Sequence, residues 1–194
     1  HFETPAESAS TRASSVYKIP IITYHHIQDE VGKYSPDLSL PVVNFIAQLD
    51  YLVANQFKTI TFYDLKDIAE GKQSVSEKLV ILGFDDGYAD QYQAAQHLNG
   101  KGLKGVFFIF TEKIGTPGYL DWRQVKKMRS WGMEIGSRGV KSADLIGSTE
   151  FFVKDELERS KRIIELELGE PIISFAYPSG KYNILNIFTA TSGQ

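Results

Sequence analysis

The stretch ILGFDDGYAD runs from an apolar segment into two adjacent carboxylates, Asp85 and Asp86, followed by Gly87. Ionised carboxylates at the end of a buried strand are costly unless a cation or hydrogen bonds compensate them. One of such a pair can bind a cation while its neighbour takes a proton from a cation-bound water. Asp-Asp-Gly also reads as a plain turn, because Asp bonds local backbone and Gly accepts positive φ. Three further runs close apolar segments with polar groups. His25 and His26 follow IPIITY, Arg138 and Ser142 lie in MEIGSRGVKSADL, and FAYPSGKYN carries Tyr177, Pro178, Ser179, Gly180 and Tyr182. Side chains alternate across a strand, so one histidine is expected to face the sheet interior and the other the outer layer. A hydrogen-bonded structural histidine is the competing reading.

The elements that must position these groups follow from periodicity. Short β-branched and aromatic runs alternate with amphipathic stretches, as expected of βα units around a mainly parallel sheet or barrel. Strands are predicted over residues 19–27, 58–60, 79–84, 105–110, 133–137 and 172–177. A helix opening at Pro41 places Val42, Phe45, Ile46, Leu49, Leu52 and Val53 on one face. Asp121 and Gln124 resemble a capping box for a helix with Trp122, Val125 and Met128 inward, and Gly132 suits its end. A third helix, residues 149–168, aligns Val153, Leu157, Ile164 and Leu168 and ends at Gly169. Its Glu156, Glu158, Arg159, Lys161 and Arg162 read as a solvated face. In α/β folds of this kind functional residues gather at the C-terminal ends of strands, which is where the carboxylates, histidines and Arg138 fall.

Composition narrows the partners. The chain has 194 residues, 42% hydrophobic and 23% charged, with a formal net charge of -3 and no cysteine. That suits one soluble domain, offers no basic field for nucleic acid, and excludes disulfides and thiolate chemistry. No apolar run approaches the ~20 residues of a membrane span. Residues 1–18 read as a polar tether of the kind left after export or as an irregular end, and residues 19–194 as one domain, so an extracellular or cell-surface location is expected.

Taken in order, the four runs resemble the polysaccharide deacetylase family, carbohydrate esterases with a NodB-homology domain. The resemblance covers nearly the whole chain from Ile19. GFDDGY resembles the family's first motif, MEIGSRGVKSADL its second motif region and FAYPSGKYN its third. ITYHHI and the helix after Pro41 look most like the branch acting on poly-N-acetylglucosamine. The resemblance implies a distorted (β/α) barrel and hydrolysis of N-acetyl groups with a divalent metal, commonly zinc. It also implies a general base at Asp85, a metal ligand at Asp86, and a substrate groove at Tyr177, Pro178, Ser179, Gly180 and Tyr182.

Departures from the pattern concentrate at the metal. Arg138 and Ser142 stand where the family has its two ligand histidines. The four histidines are His1, His25, His26 and His97, so nothing later supplies the imidazole acid that protonates the leaving amine. A guanidinium has no lone pair to donate. Charges of one and two at ~4 Å repel by about 8 kcal/mol at an effective dielectric of 20. Arg138 is therefore expected to turn toward the carboxylates and pair with Asp86 and Asp85 in place of the cation. A metal site relocated to His25 or His26 with Asp86 is an alternative, as is an Arg138 that reaches solvent over an empty groove. After Asn183 the family continues through another helix before a strand like IFTATSG, residues 187–193; here the sequence passes straight on, by deletion or by joining of flanking pieces. Three functions follow: an impaired N-deacetylase of N-acetylglucosamine polymers; a glycan-binding pseudoenzyme with Tyr177, Tyr182 and Trp122 as stacking surfaces; and, more weakly, a glycosidase, which needs a second acid ~5–9 Å away.

Overall fold

A computed structural model describes residues 18–29, 36–73 and 78–183. The strands are β1 (Ile21–Tyr24), β2 (His26–Ile27), β3 (Ser39–Leu40), β4 (Phe57–Thr59), β5 (Lys78–Phe84), β6 (Val106–Ile109) and β7 (Glu134–Ser137). The helices are α1 (Val42–Ala54), α2 (Phe62–Ala69), α3 (Gln91–Gly100), α4 (Trp122–Ser130) and α5 (Glu150–Leu168). The main sheet runs β1-β5-β6-β7, with β4 also paired to β5, and every pairing in it is parallel. Among the described residues the strands do not themselves close a ring, although Phe175 extends the β7 edge through a bridge to Ser137.

The strand β5, KLVILGF, is buried from its second residue to its last. A parallel strand covered on both faces needs this unbroken apolar run. Its side chains divide by alternation: Val80, Leu82 and Phe84 join the large core beneath α1, α3, α4 and α5, whereas Leu79 and Ile81 join a smaller interior cluster with Ile60, Val106 and Phe108. Phe84 therefore faces the helices, and the next residue, Asp85, is directed to the interior side. The same count on β7 puts Ile135 outward and Gly136 inward, Ser137 against Ser160 of α5 through a 2.7 Å hydroxyl contact, and Arg138 inward. A Cβ on Gly136 would lie 2.5 Å from Ser174 Oγ and 2.7 Å from Phe108 Cδ1, so glycine alone fits there.

Several expectations change in three dimensions. The predicted strand 19–27 breaks at His25: Tyr24 is the last residue paired with β5, and the chain then turns so that β2 pairs with β3. Residues 172–177 form one bridge rather than a strand. Pro41 caps α1 from outside, and Val53 is 49% exposed, while Phe45, Leu49 and Leu52 fill the core. The capping box of Asp121 and Gln124 is present, with Val125 and Met128 buried and Trp122 half-buried against the core. Thr149 caps α5, and Gly169 ends it at φ 72°. Glu156, expected in solvent, is 2% exposed. The sequence reading did not delimit α2 or α3. Residues 1–17 and 184–194 lie outside the described residues, and with them most of the predicted tether and the IFTATSG segment.

Candidate functional site

The ends of four neighbouring strands, β1, β5, β6 and β7, converge on one cluster. Asp85 and Asp86 follow β5 in a tight turn where Asp86 adopts φ 77° and Gly87 φ 76°. Asp tolerates this left-handed conformation better than most residues, and Gly87 has Ile109 Cγ2 3.1 Å from where a Cβ would sit. Arg138, only 6% exposed along its side chain, brings Nη1 to 2.7 Å from Asp85 Oδ2 and Nε to 2.6 Å from Asp86 Oδ1. The Nε contact is ionic rather than an aligned hydrogen bond, because the N–H does not point along it. The guanidinium also sits 5.7 Å from the centre of the Phe110 ring. His25 Nε2 reaches 3.8 Å from Asp85 and 4.0 Å from Asp86.

Burial pushes the Asp85 carboxyl above its ordinary range, against the opposing charges of Arg138 and His25. Tyr88, bonded through its hydroxyl to Asp86, is likewise raised, first by burial and then by the Asp86 charge. His26 faces the other way. Its Nδ1 lies 2.7 Å from Asp90 Oδ2, and its ring stacks on Tyr88 at 3.7 Å. His25, in the turn after β1, thus meets the carboxylates, whereas His26, in β2, is taken to the outer layer.

The loop carrying Arg138 is braced from beneath. Glu156 Oε2 accepts from the N–H groups of Val140 at 2.8 Å and Lys141 at 2.9 Å. Gln91, fully buried, donates through Nε2 to the backbone oxygens of His25 at 2.9 Å and Asp85 at 2.5 Å, tying the ends of β1 and β5 together. Neither role was anticipated from sequence. A glutamine opening the helix after DDGY has no distinctive spacing, and Glu156 lies within a run of charges typical of a solvated face.

Ser142 is exposed and bonds to neither carboxylate. The groove candidates form a separate group. Pro178 is buried, Ser179 (φ 57°) and Gly180 are exposed, and Tyr177 packs edge-on to Phe175 at 5.1 Å and against the 59% exposed Tyr182 at 5.5 Å. Lys181 ties this turn to the Arg138 loop through Asp144 at 3.0 Å.

The donors present do not suit the family's divalent metal. Arg138 holds the oxygens a cation needs, Ser142 bonds to neither carboxylate, and His26 pairs with Asp90 instead. Among the described residues no group of three His, Cys, Asp or Glu side chains could hold a metal ion.

A parallel α/β sheet delivers paired acids from the end of a buried strand. The chain belongs to the polysaccharide deacetylase family, whose profile matches residues 72–190. YxkH of Bacillus subtilis, named after the same family, is 30% identical over 177 residues; these span 91% of this chain and 62% of that protein. The deacetylase PplD of Streptococcus pyogenes, solved in complex with acetate, superposes with a TM-score of 0.84 at 26% identity over 92% of this chain and 81% of that one. The polysaccharide deacetylase BC0361 from Bacillus cereus gives 0.82 at 26% identity, covering 91% and 55%.

Proposed function

We propose that this chain is a polysaccharide deacetylase-family protein whose hydrolytic centre is closed by its own arginine, and that it holds N-acetylglucosamine-containing polymers at the cell surface without removing their acetyl groups. The carrying observation is the Arg138 guanidinium between both carboxylates, at 2.7 and 2.6 Å. A side chain there sets one fixed positive charge against the two carboxylates, supplies no open coordination position and activates no water. The exposed Tyr182 beside Tyr177 supports glycan holding, since aromatic faces stack on apolar faces of sugar rings.

The test measures acetate release and binding together. The protein is incubated with an N-acetylglucosamine oligomer and added Zn²⁺ or Co²⁺, alongside Arg138→His/Ser142→His. The expected result is oligomer binding and no acetate from the parent. Acetate release by the parent, or calorimetric zinc uptake at one ion per chain, ends the proposal. Oligomer binding by neither protein removes the glycan-holding half of it.

A further inference from the structure

A second group of glycan-compatible residues lies on the outer surface, between α3 and α4. A groove of about 530 Å³ is lined by Tyr92, Arg123, Gln124, Lys126, Lys127 and Ser130. Arg123, Lys126 and Lys127 stand at i, i+3 and i+4 on α4 and so share one helix face. Tyr92 and Trp131 lie 5.5 Å apart with their rings inclined by 31°, and Lys127 Nζ sits 5.5 Å over the Trp131 ring. The facing helix, QYQAAQHLNG, contributes no acid.

Two of the three cations have carboxylate neighbours. Lys126 meets Glu167 at 2.8 Å, and the 90% exposed Arg123 lies 3.7 Å from Asp121. Exposed pairs of this kind contribute about 0–1 kcal/mol and exchange readily for a ligand anion. Lys127 pairs with no acid among the described residues. A positive groove with an aromatic wall on a chain of net charge -3 is a local feature, not the sign of the whole molecule. The loop before α4 is tied to the carboxylate turn, where Leu120 donates its N–H to Gly87 O at 2.9 Å. From Arg123 to Ser130 the helix rises about 10 Å, enough to track a short oligosaccharide.

We infer that this groove is a second binding site, for an anionic sugar polymer whose carboxylates or phosphodiesters meet Arg123, Lys126 and Lys127 while a sugar face lies on Tyr92. The inference rests on the glycan chemistry proposed above but not on the state of the carboxylate site. Nucleic acid fits less well, because the basic surface is confined to one short helix on an acidic chain.

Titration calorimetry with the intact chain tests it, using oligogalacturonate, a phosphodiester-linked sugar oligomer and a neutral cello-oligosaccharide as probes, and a short single-stranded DNA as control. At ~0.1 M salt one or both anionic sugars bind, and the neutral sugar does not. Raising salt to ~1 M, where the screening length falls from about 10 to about 3 Å, abolishes binding. Arg123→Ala/Lys126→Ala/Lys127→Ala, all at exposed or partly exposed positions, weakens binding at least about tenfold with an unchanged melting curve. Excess neutral N-acetylglucosamine oligomer does not displace the anionic probe, which separates this groove from the site at Asp85 and Asp86. Unchanged affinity in the triple variant, equal binding of the neutral sugar, tighter binding of DNA, or no binding of either anionic sugar overturns the assignment. Which anionic probe binds identifies the anion.

Discussion

Replacing Arg138 with methionine isolates what the guanidinium does. The substitution keeps much of the side-chain volume and removes the charge, leaving Asp85 and Asp86 adjacent and largely out of solvent, with side-chain exposures of 12% and 14%. At an effective dielectric near 20, unit charges ~3 Å apart interact by about 5–6 kcal/mol, and desolvation offsets a large part of that. Breaking a buried pair by removing one partner typically costs about 3–5 kcal/mol, because a charge is left uncompensated. For a domain of this size each kcal/mol lowers Tm by about 2–4 °C, so a fall of roughly 6–20 °C is expected. The pH dependence carries the sharper test. Asp85 is already raised by burial, and without Arg138 its folded-state pKa rises further. A carboxyl whose folded pKa exceeds its unfolded value stabilises the fold below the unfolded value, near 3.9, and loses that contribution as pH rises through the folded value. The deficit of Arg138→Met should therefore be largest near pH 8 and shrink toward pH 5. Adding Asp85→Asn and Asp86→Asn should recover most of it. Urea unfolding across that range gives the answer. A deficit below about 1 kcal/mol, independent of pH, or a triple variant as unstable as the single one, would refute the ion-pair account.

Other perturbations probe the supports. Glu134 is 1% exposed and accepts from Phe62 N at 2.7 Å and Ser174 Oγ at 2.6 Å, yet burial keeps its carboxyl above the ordinary range. By the same sign argument it contributes most below about pH 4.3 and less as pH rises through its folded value, so Glu134→Gln should flatten the acid-to-neutral decline in urea midpoint; parallel profiles would contradict this. Glu156→Ala strands the N–H groups of Val140 and Lys141 and should cost about 1–3 kcal/mol, with faster amide exchange at both positions as the specific readout. Gly136→Ala forces a Cβ onto Ser174 and Phe108 and should cost about 1–3 kcal/mol in thermal unfolding, whereas a neutral result would mean the β7 interior yields more easily than its packing implies.

What the sequence determined is what depends on local order. An unbroken apolar run fixed β5 as a buried strand ending at Phe84, and the capping box at Asp121 and Gln124 fixed one helix start. The motif order carried the family, and the residue type at 138 carried the expectation of a guanidinium against the carboxylates. Tertiary structure decided which groups meet. Placing the ends of β5 and β7 beside the same interior face sets Arg138 against both carboxylates, because sheet order, not sequence spacing, fixes which strand ends are close. It also split the first strand at His25, reduced residues 172–177 to a bridge, and buried Glu156 under the Arg138 loop. A charge run looks the same in solution or beneath a loop until backbone N–H groups from elsewhere in the chain arrive to bond it.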